Sequence, residues 1–65
     1  MTVLELCSFI RNPKHTEVVL YVADSEDDEV IFKDSAHNAM VSNFANCEVV
    51  NFRPMNYTII VQLLT

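Results

Sequence analysis

A net charge of −5, from four Lys or Arg against nine Asp or Glu in 65 residues, excludes several classes of function at once. So few basic residues cannot form the clustered cationic surface that phosphate recognition requires, which argues against direct nucleic-acid binding and against docking on an anionic membrane. The length allows one domain, residues 1–65, and a domain this small buries only about 60% of its unfolded surface, so it folds near the margin of stability.

Glycine is absent. Phosphate-cradling loops and dinucleotide fingerprints, which need glycine for close backbone approach, are thereby removed, as is a nucleophile elbow around any serine. Half the residues are hydrophobic (51%), a high share for a chain with so much surface. Part of that apolar surface is expected to meet a second chain, most simply in a two-fold dimer or a higher homo-oligomer. The longest apolar runs, such as Ile59-Ile60-Val61, are too short to span a bilayer. No basic segment followed by an apolar core opens the chain, so no secretory signal is expected. Cys7 and Cys47 lack the spacing of a zinc site and are expected to be reduced thiols, partly buried.

In chain order, Thr2-Val3-Leu4-Glu5 fits a capping box, and Val3, Leu6, Cys7 and Ile10 share one helical face. The pattern predicts a short helix over residues 2–10, ended by Asn12-Pro13. Residues 17–23 read as a strand with Val18, Leu20 and Val22 on one face and Val19, Tyr21 and Ala23 on the other. Because both faces are apolar, the strand is expected at the centre of a sheet or covered on both sides. Glu29-Val30-Ile31-Phe32-Lys33 is its antiparallel partner. Asp34 or Ser35 can cap a helix that places Ala36, Met40 and Phe44 on one face, with Asn46 as its stop. This stretch is read as a short helix or an irregular helical crossover. Residues 47–53 form a weakly alternating strand, Arg53-Pro54-Met55-Asn56 a turn, and Tyr57 to Leu64 a final strand that is again apolar on both faces. The order is α-β-β-α-β-β. The expected fold is α+β, a four-stranded antiparallel sheet with one or two short helices on one face.

Between the first two strands lies Asp24-Ser25-Glu26-Asp27-Asp28-Glu29, which holds five of the nine acids. Asp24, Glu26 and Asp28 mimic the start of an EF-hand loop. The glycine needed at the sixth position is Glu29, the glutamate needed at the twelfth is Ser35, and the flanks are strands, so the calcium reading fails. Two readings stand. The block is a solvated turn that keeps the chain soluble and prevents edge pairing. Alternatively it is an anionic tip that docks into a basic groove and speeds association with a cationic surface. In the second reading Asp24, Glu26, Asp27, Asp28 and Glu29 carry the charge contacts, with Tyr21 or Phe32 as a neighbouring anchor. His15 and His37 read as polar surface residues, and the aromatic residues as core packing, since no interleaved basic residues accompany them.

The opening Thr2-Val3-Leu4-Glu5-Leu6 helix, the hairpin Glu17-Val18-Val19-Leu20-Tyr21 with Glu29-Val30-Ile31-Phe32, and the closing Glu48-Val49-Val50-Asn51-Phe52 hairpin together resemble small uncharacterised proteins encoded in phages and mobile elements of gut Firmicutes. The resemblance covers most of the chain in layout and rests on strand residues. It implies an accessory role inside a bacterial cell, in the cytoplasm, with inhibition of a host defence in the manner of anti-CRISPR proteins among the roles. The resulting expectation is a non-enzymatic acidic interaction module, with no catalytic residue, metal or cofactor. It would bind a host or phage protein of basic surface and inhibit a nucleic-acid-handling enzyme. A self-associating assembly module is the alternative, and an oligomeric nuclease the lesser one.

Overall fold

Thr2 and Glu5 open the first helix with a reciprocal pair of hydrogen bonds. The Glu5 amide donates to Thr2 Oγ1 over 3.2 Å, and the Thr2 amide donates to the Glu5 carboxylate over 2.9 Å. This is the capping box that the sequence predicts, and it satisfies amides that a helix start leaves without intrahelical partners. Helix α1 (Val3–Ser8) turns Val3, Leu6 and Cys7 inwards. It ends before residue 10 because Phe9 and Ile10 donate to carbonyls three residues back, those of Leu6 and Cys7, and Ser8 Oγ donates to the Glu5 carbonyl over 2.6 Å. Such tightened bonds close a last turn and stop its propagation.

The computed structural model describes residues 1–23 and 28–64. Strands β1 (Glu17–Ala23) and β2 (Asp28–Ser35) form an antiparallel hairpin. Helix α2 (Ala36–Met40) follows directly, and β3 (Val49–Met55) and β4 (Thr58–Leu63) form a second antiparallel hairpin. The two hairpins join into one four-stranded sheet of order β2-β1-β4-β3. The fold is α+β, with two short helices and a mostly antiparallel sheet. Where the hairpins meet, β1 and β4 run parallel, from Glu17↔Thr58 to Val22↔Leu63. The two strands that the sequence marks as apolar on both faces are thus the two central strands.

Both helices lie on one side of the sheet. Val3, Leu6 and Cys7 of α1 and Ala36 and Ala39 of α2 close over Val18, Leu20, Val61 and Leu63, and these nine are the buried core among the described residues. Residues 36–48 run from the end of β2 back across this face to the start of β3. Ser35 caps α2, its Oγ accepting from the Asn38 amide over 3.1 Å. The amides of Ala36 and His37 donate to the carbonyls of Thr16 and Pro13. With its first amides satisfied, a helix of five residues holds its place by packing. Helix α2 stops at Met40, so Phe44 lies beyond it in irregular chain, where its ring meets Phe32 edge-on at 6.0 Å.

Two expected boundaries are corrected. Pro54 lies within β3, opposite Ile59, and does not form the turn. The reason is position: β3 is an edge strand, where a residue without an amide N–H is tolerated. The turn is Asn56-Tyr57, and Tyr57, expected to begin the last strand, adopts φ 57° with its side chain 84% exposed. In a chain without glycine this left-handed position falls to a residue with a Cβ, at a cost of about 1–2 kcal/mol. Tyr57 also supplies the carbonyl that accepts from the Glu17 amide over 2.8 Å, at the head of the parallel pair.

Two measurements follow. Tyr57→Asn, which suits the left-handed region, is expected to raise the unfolding free energy by about 1 kcal/mol in urea titrations. The second concerns Glu5, whose carboxyl is held below its ordinary value of 4.5 by the hydrogen bond from the Thr2 amide first and by its bond with the Thr2 side chain second. A group with a lowered folded pKa stabilises fully above its unfolded value and loses that contribution as pH falls through the folded one. The stability advantage of the wild-type chain over Glu5→Gln is therefore expected to hold at pH 7 and to shrink below pH 4.5.

Candidate protein-interaction surface

Alternation along the strands divides the sheet into two faces with different fates. Val18, Leu20, Val61 and Leu63 lie under the helices, fully or almost fully buried. Their neighbours Val19, Tyr21, Ile60 and Gln62 lie on the other face, half-buried. No described element crosses that second face. Register aligns its side chains in rows. Lys33, Val19, Ile60 and Arg53 form one row across the four strands, and Val30, Tyr21, Gln62 and Asn51 the next. Asp28 stands opposite Ala23 at one end, and Glu17, Thr58 and Met55 lie at the other.

The centre of this face is apolar and its margin polar. Val30 and Met55 are 58% and 56% exposed, and Val19, Tyr21, Val30 and Ile60 share a shallow recess of about 280 Å³ with Asp28 and Arg53. One polar chain crosses the face. Asn51 Nδ2 donates to Gln62 Oε1 over 2.6 Å, and the Tyr21 hydroxyl lies 3.5 Å from the same oxygen. An amphipathic ring with its hydroxyl held at the edge of an apolar patch is common where proteins meet. A second recess, of about 300 Å³, opens where Lys33 and Glu17 approach Lys14 and His15 of the preceding loop.

The residues named from the sequence fall in different places. Asp24, Glu26 and Asp27 lie outside the described residues. Asp28 and Tyr21 come together in the recess on the uncovered face. Glu29, exposed, pairs with Val22 and falls on the opposite side of β2. Phe32 pairs with Leu20 and packs against the core on the helix side, so it is not a neighbour of Tyr21. A β-bulge causes this. Between Leu20 and Tyr21 the register of β2 shifts by one residue, and Ile31 and Phe32 both pack against the core. Arg53, Val30 and Gln62 were missed as surface residues because nothing local in the sequence reports which strand lies beside which.

Among the described residues the remaining reactive groups form no site. Cys7 and Cys47 are free thiols, and burial pushes the Cys7 thiol above its ordinary value, which leaves it inert. No three His, Cys, Asp or Glu among the described residues stand close enough to hold a metal ion. No helix among them is long and apolar enough to cross a membrane. In comparisons with known proteins, no family model, no curated protein and no solved structure matches the chain.

The two faces make opposite demands at adjacent positions. Val61→Ala opens space in a fully buried site and is expected to cost about 2 kcal/mol in urea unfolding at low micromolar protein. Ile60→Ala removes more carbon from the uncovered face and is expected to cost less than half as much. Equal costs would show that something covers Ile60 within a single chain.

Proposed function

We propose that this chain is a non-enzymatic protein-interaction module that docks through the uncovered face of its sheet. The observation that carries the reading is the recess in which Asp28, the first described residue of the acidic run, meets Tyr21, Val19, Val30, Ile60 and Arg53. An apolar centre supplies binding energy by leaving water, at roughly 25 cal/mol per Å². Charges at its margin orient the encounter and raise its rate. The acidic run of residues 24–29 adjoins this surface in sequence, and five acids in six residues suit a basic partner.

The narrower form of the proposal places the chain in the cytoplasm of a bacterial host, as an accessory protein of a phage or mobile element. There it would inhibit a nucleic-acid-handling enzyme, its carboxylates occupying a groove that otherwise takes phosphates. The net charge of −5 supports this form, because such a chain is attracted to the surfaces that attract nucleic acid.

Site-specific photo-crosslinking in the bacterial host tests the reading. A photoreactive amino acid in place of Ile60 or Asp28 is expected to give protein adducts. The same amino acid in place of Asn38, exposed on the helix side, is expected to give none. Adducts with a basic partner should disappear when Asp27→Lys and Asp28→Lys are introduced together. Equal adduct formation from positions 60 and 38, or none from either, would overturn the docking face.

A further inference from the structure

We infer that the uncovered sheet face is occupied by a second copy of this chain, packed face to face about a two-fold axis. The inference rests on the proposal that this face is the docking surface, and it names the occupant.

Charge separates a second copy from other partners. By register the face carries two cations, Lys33 and Arg53, and two acids, Glu17 and Asp28. They cancel, so the whole net charge of −5 is carried elsewhere on the chain. Docking of a basic protein would be matched by an acidic face, whereas this face offers equal numbers of both signs. A face that is balanced while its body is acidic is matched by itself.

The placement of the charges gives the symmetry. Lys33 and Asp28 stand on β2, opposite Val19 and Ala23, with Val30 opposite Tyr21 between them. A two-fold axis running across the strands at the level of Val30 and Tyr21 sets Lys33 of each copy against Asp28 of the other. The same axis brings the two Tyr21 rings together at the centre and lays Val19 over Ala23. An axis running along the strands would instead oppose Lys33 to Arg53, a like-charge contact, so the first arrangement is favoured. The contact is isologous and closes at two copies.

The edges of the sheet leave no competing route. Outer strand β3 carries Pro54 and a register shift between Val49 and Asn51, and β2 carries the bulge at Ile31 with Lys33 and Asp34 beside it. Proline, bulges and charge are the devices that prevent strand addition. Face packing remains, at the usual separation of about 10 Å between sheets. Four strands at about 4.8 Å and six residues at about 3.3 Å give a footprint of about 400 Å² per copy, about half that of a standard specific interface, so the dimer is expected to be weak and transient.

A charge swap tests the inference. Sedimentation of the wild-type chain from about 1 to 500 μM is expected to pass from monomer to dimer. Lys33→Glu alone and Asp28→Lys alone each place like charges in both symmetric contacts and should weaken dimerisation at least tenfold. An equimolar mixture of the two variants restores opposite charges at both contacts and should recover the wild-type association. Both positions are exposed, so both variants should keep the wild-type melting curve at about 1 μM, where the chain is monomeric. A wild-type monomer throughout, variants that dimerise as the wild type does, or a mixture no tighter than its components would each overturn the second copy. Should photo-crosslinks from position 60 then join the chain to a different protein, the docking reading survives and only its occupant changes. Absence of face-specific crosslinks removes both.

Discussion

The parallel pairing of β1 with β4 is the contact on which the other elements depend. Each hairpin alone is local, and an isolated two-stranded hairpin is marginal in water. The sheet exists because residues about 40 positions apart are brought into register, from Glu17 with Thr58 to Val22 with Leu63. This pairing places Val18, Leu20, Val61 and Leu63 side by side, and only such a continuous apolar strip can seat two helices of six and five residues. Neither helix is long enough to persist by itself. They are held by packing on that strip and by bonds from loops, such as those from Ala36 and His37 to Thr16 and Pro13.

One consequence is that the protein is one-sided. The crossover from β2 to β3 and helix α1 occupy the same face, and no further element among the described residues covers the other. Coverage is incomplete even on the helix side. Phe52 lies opposite buried Val61 yet is 47% exposed, because helix α2 packs towards β2 and β1. A chain of this length can build one layer over a sheet and no second one, so the apolar alternation of β1 and β4 exceeds what the fold itself consumes. That surplus of Val19, Tyr21 and Ile60 is the physical basis of the proposed docking surface.

Local features of the fold were legible in the sequence, and non-local ones were not. The capping box at Thr2 and Glu5, the cap at Ser35, and strands 17–23 and 29–33 follow from spacing over a few residues. The central positions of β1 and β4 also followed, because strands apolar on both faces are disfavoured at edges. The parallel direction of that pair did not, since it is set by where the crossover delivers β3. Pro54 reads as a turn in isolation and is tolerated only because its strand is outermost. Phe32 was grouped with Tyr21 by distance along the chain, but the bulge that carries both Ile31 and Phe32 to the core has no signature in this sequence. Tyr57 was counted as a strand residue because no glycine or Asn-Gly pair marks the left-handed position.

The separation of charge from apolar surface gives the two proposed interactions different physical roles. A balanced face on a body of net charge −5 means that two copies repel at long range and attract only on contact. Repulsion of this kind is screened beyond about 8 Å at physiological ionic strength. It therefore lowers the rate of encounter more than it loosens the finished dimer. The same acids accelerate encounter with a basic partner, which meets them before it meets any apolar surface. If one face is closed by a second copy, the dimer carries two acidic runs of residues 24–29, ten acids in all from the five that each copy holds. A basic partner extended enough to reach both runs binds the second at an effective concentration set by the dimer, with no new contact needed. In such an assembly the apolar face sets the number of acidic runs presented, and the acidic runs select the partner.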